Sequence, residues 1–303
     1  MRAARPAMAG PGFLRGSASC PLFRAAVKNS VQPGVSSLAY PLLFHFWTDA
    51  GILAAGVAAA IPAGAALGGA WTLPAGRGLA ILSGSSTVAS EGFGAEGRDD
   101  LVTDLAKDEL ELLIEYGLRD EVTLLFRPKM TSLLLGAPVH ASRIGPGYTE
   151  LGLRGRLWKS ERSVVSAQLL GRIPGTRDAT DPAAVGSTDP EFDLRLLAGR
   201  SFDLFARPGF LDAQLGDPPD ELRFDATLGL RVSESLLLLI QSFSVVGSGA
   251  DGVFEDASYH KVKISGVWDL SESWSLQAGA IATVAGEHAL RERGLTLALW
   301  KRF

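Results

Sequence analysis

Few groups in this chain could do chemistry, and the densest set is acidic. Glu109, Glu111 and Glu115 fall in the run ELELLIEYGLRDEVTLLF over residues 109–126. Carboxylates this close could serve as acid and base. On an extended chain, however, positions two and four apart share one face, so the spacing itself describes a charged strand face. A nucleophilic site needs a nucleophile, a base and a group that orients the base. His140 and His288 fall in polar loops, and His260 opens an extended segment on its apolar phase, so none is placed as that base. No G-x-S-x-G elbow, P-loop or H-E-x-x-H pair occurs. Asp178, Asp181 and Asp189 share one loop and could hold a divalent cation, but solvated loop charge accounts for them as well. The sequence therefore assigns no catalytic residue, no metal ligand and no cofactor.

The element that positions the glutamates is a hairpin. As a helix the run would scatter its leucines around every side. As two strands it sorts by a period of two. Leu110, Leu112, Ile114, Tyr116 and Leu118 share one face, and Glu109, Glu111, Leu113, Glu115 and Gly117 share the other. Past the turn at Arg119-Asp120, Val122, Leu124 and Phe126 oppose Glu121, Thr123, Leu125 and Arg127.

The pattern recurs. In 222–239 the apolar set Leu222, Phe224, Ala226, Leu228 and Leu230 opposes Arg223, Asp225, Thr227, Gly229 and Arg231. In 262–277 Val262, Ile264, Gly266, Trp268 and Leu270 form the apolar set. In 150–160 Leu151, Leu153, Gly155 and Leu157 oppose Glu150, Gly152, Arg154, Arg156 and Trp158. In 164–173 Val165, Ala167, Leu169 and Ile173 oppose Ser166, Gln168 and Arg172. LLLLIQSFSVV is ambiguous in phase, and Gln241 is read inward together with Leu237 and Leu239.

Together these predict about twelve strands of about 8–12 residues, the length a tilted membrane strand needs. The predicted spans are 77–88, 107–118, 121–133, 147–158, 163–174, 191–200, 208–216, 221–231, 235–246, 258–269, 274–285 and 293–303. Tight turns fall at Arg119-Asp120, Lys159–Arg162, Val232–Ser235 and Asp269–Ser273. Longer polar connections fall at Val88–Ala106, Gly136–Pro146, Gly175–Pro190, Gly247–Asp256 and Gly286–Arg293. The short Asp217–Asp220 loop and the longer Arg200–Arg207 turn break this alternation.

The bulk numbers fit lipid contact without membrane helices: 20% charged residues and a mean hydropathy of +0.17, with an ordinary 47% hydrophobic content. Residues 38–67 hold the one long apolar run. Its later part, about 51–70, resembles a secretory signal, with Gly68 and Ala70 at the −3 and −1 positions before a cut at Trp71. Residues 1–70 are accordingly expected to be a removed leader, long for its kind and with Asp49 where a basic flank is usual, and 71–303 the folded domain. An uncleaved anchor is the alternative. Cys20 follows no apolar run and would leave with the leader, so residues 71–303 offer neither disulfide nor thiolate ligand. Of 29 Lys/Arg and 33 Asp/Glu, five bases and one acid fall in 1–70, leaving 24 against 32 and a net charge of −8. That balance argues against a nucleic-acid partner.

A soluble barrel would use the same alternation inverted, leucines inward. A soluble barrel of about twelve strands would have to fill a wide interior, yet the apolar faces are Leu and Ala without matched bulk. Lipid requires no such filling. Tyr116, Trp158, Phe202, Phe205, Trp268, Trp274 and Trp300 are read as clustering near the tight-turn end, where a membrane interface collects aromatics. The expected fold is all-β, a transmembrane antiparallel up-and-down barrel in the bacterial outer membrane. Its expected lumen-lining residues are Glu109, Glu111, Glu115, Glu121, Arg154, Arg156, Arg172, Arg195, Arg223, Asp225 and Arg231.

The end of the chain, GLTLALWKRF, closes on Phe303, with Lys301, Leu299, Leu297 and Leu295 at alternate positions before it. This resembles the final strand of bacterial outer-membrane barrels, whose terminal aromatic is the assembly signal read by the barrel-assembly machinery. Lys301 departs from that pattern, since the position two before the end is usually apolar. Trp71–Gly84, WTLPAGRGLAILSG, with an acidic loop and the YGLRDEVTLLF hairpin, resembles outer-membrane channels of the meta-pathway phenol-degradation type. The resemblance implies a channel for passive passage of small solutes, aromatic or hydrophobic compounds among them, and transfers no binding residue. A lipid-modifying enzyme, lipase or deacylase, and a closed structural barrel are the alternatives. The acids of the second and third strands and the arginines of later ones are expected either to line opposite walls or to pair, with Glu115 and Arg156 at matching heights.

Overall fold

The structure, a computed structural model, describes residues 69–94, 99–137, 139–175, 189–216, 221–247 and 257–303. The leader-like segment through residue 68, and Asp178 and Asp181, lie outside the described residues. Among the described residues no helix is long and apolar enough to cross a membrane.

The chain forms β1 (Gly78–Phe93), β2 (Asp99–Arg119), β3 (Val122–Arg127), β4 (Lys129–Leu135), β5 (Ala141–Pro146), β6 (Thr149–Lys159), β7 (Ser163–Ile173) and β8 (Glu191–Leu204). It continues with β9 (Arg207–Gly216), β10 (Glu221–Arg231), β11 (Leu236–Gly247), β12 (Ser258–Asp269), β13 (Trp274–Glu287), β14 (Ala289–Leu290) and β15 (Arg293–Arg302). β3 and β4 are one strand interrupted at Pro128, which has no N–H to give the ladder. β5 and β6 are likewise one strand, as are β14 and β15. The fifteen segments therefore make twelve strands. Each pairs antiparallel with its chain neighbours. β1 pairs β2 along one edge and β15 along the other, from Leu79↔Arg302 to Val88↔Arg293. No edge is left open: the fold is a closed twelve-strand antiparallel barrel.

Outer face and lumen divide the residues by strand phase. Leu110, Leu118, Leu151, Leu153, Leu169, Ile173, Leu194, Leu196, Leu228, Ile264 and Leu297 point outward and are exposed. Glu115, Arg154, Gln168, Arg172, Arg195 and Asp212 point inward and are buried. On β11 the inward set includes Leu239 and Gln241, while Leu238 and Ile240 are exposed.

Three sequence readings are corrected. Most of the supposed Val88–Ala106 loop is strand, because β1 and β2 stay paired to Phe93↔Asp99. Arg200–Arg207 is a two-residue turn at Phe205-Ala206, with φ of 48° and 59°, the primed geometry that fits the twist of a hairpin. Two tryptophans also change sides. Trp300 lies on the inward phase of β15 and is 7% exposed, and a bulge between Arg156 and Trp158 turns Trp158 outward to 54% exposure.

The chain end locks the closure. Phe303 exchanges backbone hydrogen bonds with Gly78, its N–H to Gly78 O at 2.9 Å and Gly78 N–H to its carbonyl at 2.6 Å. Its ring lies where a Cβ on residue 78 would be. Deleting Phe303 is expected to lower the amount of inserted barrel, read as the heat-modifiable band of membrane fractions on gels. An undiminished band would show that the closing pair is dispensable.

Candidate functional site

The lumen encloses a cavity of about 620 Å³. Its walls differ. From β2 through β10 alternate inward positions carry charge, and these strands are neighbours in the sheet. Glu115 Oε1 accepts from Arg154 at 2.8 Å, and Arg154 Nε donates to Gln168 at 3.0 Å. Glu150 lies between Arg127 (2.9 Å) and Arg172 (3.2 Å), and Arg172 reaches Glu191 at 2.7 Å. Arg195 binds Asp193 at 2.7 Å and Asp225 at 3.4 Å. The acids and arginines thus share one wall and pair between neighbours; they do not face each other across the pore. The remaining wall, from β11 round to β1, is largely apolar. Leu79, Leu239, Val267 and Trp300 pack there with Ile81, Phe210 and Leu237 against them.

A segment before β1 crosses between these walls. Ala70 is fully buried; its N–H donates to Asp212 at 2.5 Å and its carbonyl accepts from Ser166 at 2.6 Å. Trp71 packs edge-on to Phe210 at 5.9 Å and covers Gly199, where a Cβ would meet its ring, and its carbonyl accepts from Arg154 at 3.1 Å. Leu73 N–H donates to Thr123 Oγ1 at 2.8 Å, and its side chain joins the apolar cluster. Thr72 and Ala75 bind Asp120 in the β2–β3 turn, and Gly76 and Arg77 bind the backbone of Gly117. Residues 69–77 therefore fill the tight-turn end of the lumen. Gly69 and Ala70, read from the sequence as the end of a leader, are seated in this interior. Nothing in their local pattern signals it, because their partners are side chains of distant strands.

Among the residues expected to line the lumen, Glu109, Glu111, Glu115, Arg154, Arg172, Arg195, Arg223, Asp225 and Arg231 border the cavity. Glu121 and Arg156 do not. They pair with each other at 3.0 Å at the tight-turn mouth, where the Glu121 side chain is 59% exposed. Glu115 takes Arg154 as its partner, not Arg156, because the barrel's stagger offsets the heights a flat count suggests. Lys107 and Lys261, which sequence reasoning passed over, hold Glu292 at 2.9 Å and 2.8 Å near the long-loop end.

His260 Nδ1 lies 2.7 Å from Ser244 Oγ. Both sit on the outward phases of β12 and β11. Among the described residues no carboxylate pairs with that ring, so the dyad lacks the orienting group a nucleophilic site requires.

No protein-family model matches the sequence, and no curated protein does. Solved structures do. The chain is similar to the COG4313 outer membrane channel from Pseudomonas putida F1, at 16% identity and a TM-score of 0.61, over 79% of this chain and all of that one. Weaker likenesses are to the NanC porin (7% identity, TM-score 0.46, 73% of this chain and 98% of that one) and the translocator domain of the autotransporter NalP from Neisseria meningitidis (10%, 0.46, 76% and 90%). This chain shares the fold of the COG4313 channel.

Proposed function

We propose that this protein is a bacterial outer-membrane channel that passes small solutes down their gradient, with aromatic or hydrophobic compounds as the favoured class. The observation that carries the reading is a cavity of about 620 Å³ inside a barrel whose outer face is leucine. A lipid-faced barrel with a polar interior is the architecture of passive diffusion. The solute class is supported by the apolar wall around Leu239, Val267 and Trp300, which gives a ring or short hydrocarbon a surface to leave water for. A leader removed upstream of Gly69, so that the seated Gly69 and Ala70 stay in the mature chain, delivers the chain to the periplasm, and the barrel-assembly machinery inserts it with outer-membrane lipid around the leucine face.

The test is the full mature chain in planar bilayers. Small discrete current steps of weak ion selectivity are expected, since the charged wall is internally paired. Absence of steps, both in this chain and in variants with the 69–77 segment released, would favour a closed structural barrel.

A further inference from the structure

Nearly every lumenal cation described above is matched by a carboxylate: Arg127, Arg154, Arg172 and Arg195 on the charged wall, Lys107 and Lys261 around Glu292. Lys263, which also borders the cavity, is an exception among the described residues. It stands on β12 in the apolar wall, its backbone paired with Gln241 on β11 and Ile281 on β13. Its ammonium lies 5.6 Å from the centre of the Phe243 ring. Among the described residues no carboxylate comes within ion-pair distance of it. The acid whose field reaches it is Glu111, already bridged to Arg127 at 3.7 Å. Its lumen-side neighbours are Ile281, its partner on β13, and Leu239 and Phe243, which flank Gln241 on β11.

An ammonium held on an apolar wall offers one anionic group a charge and a donor, and offers whatever is attached to that group a dry surface. We propose that Lys263 forms a subsite for the carboxylate of a small amphiphilic monoanion, its apolar or aromatic body lying on Phe243, Ile281 and Leu239. The proposal rests on the channel reading and deepens it by naming a solute class. A single ammonium without an arginine fork suits a monoanion better than a phosphate dianion. Sugars would leave the apolar neighbours unused, and cations would be repelled. A neutral hydrocarbon would cover Lys263 without matching its charge, which is costly for a buried ion.

The experiment measures binding apart from conduction. Benzoate, benzyl alcohol and acetate are titrated by calorimetry into the detergent-folded mature chain, into Lys263→Gln and Lys263→Arg, and into Lys159→Gln, an exposed turn lysine, as control. Benzoate is expected to bind the parent about ten-fold tighter than benzyl alcohol, about 1.4 kcal/mol, and tighter than acetate by a similar factor. Lys263→Gln should erase the margin over benzyl alcohol; Lys263→Arg and Lys159→Gln should keep it. Equal binding of benzoate and benzyl alcohol to the parent, or a margin that survives Lys263→Gln, would overturn the subsite. If benzoate binds as expected while planar bilayers show no current with or without the 69–77 segment, the channel reading fails and the subsite stands.

Discussion

Releasing the 69–77 segment should raise single-channel conductance several-fold. The segment is held by side chains that have no other evident task at the tight-turn end: Asp212 on Ala70 N–H, Ser166 on the Ala70 carbonyl and Thr123 on Leu73 N–H. Each such bond contributes about 0.5–1.5 kcal/mol net. Asp212 contributes more, because it is 2% exposed and, among the described residues, its hydrogen bonds come from the Ala70 amide and Gln214 Nε2. The triple variant Asp212→Ala, Ser166→Ala, Thr123→Ala keeps the strands and the leader intact. It removes about 2–4 kcal/mol of anchorage by that arithmetic, enough to turn a fixed segment into one that leaves the lumen part of the time. Larger and noisier current steps in planar bilayers are the expected record. Steps identical to those of the parent would show that the segment does not set the width of the pore. Trp71→Ala probes the same point from the apolar side, since it deletes the ring packed on Phe210 and over Gly199.

The difference between what the sequence disclosed and what it hid follows from the range of the forces involved. Every strand of a closed barrel shares one outer face and one lumen, so each hairpin must repeat the same alternation. Leu110 against Glu109 or Leu228 against Asp225 can therefore be read within a few residues. Even β11, where the five apolar residues Leu236–Ile240 blur the phase, is settled by Gln241, the polar side chain that hydrocarbon would penalise most.

Errors arose where one local event resets the count. The bulge between Arg156 and Trp158 sends Trp158 outward, and Trp300, grouped with the aromatics of the tight-turn end, has an inward phase. The Arg200–Arg207 turn was overestimated because two non-glycine residues, Phe205 and Ala206, adopt positive φ, which sequence statistics disfavour.

The site itself was legible only as a set of inward charges. Their pairing depends on the stagger between strands, which a single strand does not encode. Glu115 and Arg154 belong to strands separated by β3, and whether Arg154 or Arg156 stands opposite Glu115 follows from the closed barrel's geometry. The 69–77 segment was invisible for a related reason. It has no period, and every group that fixes it comes from residues at least 40 positions further along the chain.

The buried pair at the centre of the charged wall should dominate stability. The Arg154 and Glu115 side chains are 4% and 2% exposed and meet at 2.8 Å, so water screens them far less than it screens the Glu121–Arg156 pair at the mouth. Surface pairs of the latter kind contribute about 0–1 kcal/mol. Removing one member of a buried pair leaves the other charge without its match and costs about 3–5 kcal/mol. Arg154→Met is therefore expected to destabilise the folded barrel by about that amount in urea titrations from lipid vesicles, against less than about 1 kcal/mol for Arg156→Met. It also deletes the donors to Gln168 and to the Trp71 carbonyl, so its conductance should rise toward that of the anchor variant. Adding Glu115→Gln removes the stranded carboxylate, and the double variant should recover most of the lost stability while its conductance stays high, because Trp71 still lacks its donor. A double variant no more stable than Arg154→Met would mean that the loss comes from the arginine's other contacts. Equal effects of Arg154→Met and Arg156→Met would place both pairs in solvent and contradict the burial on which the prediction rests.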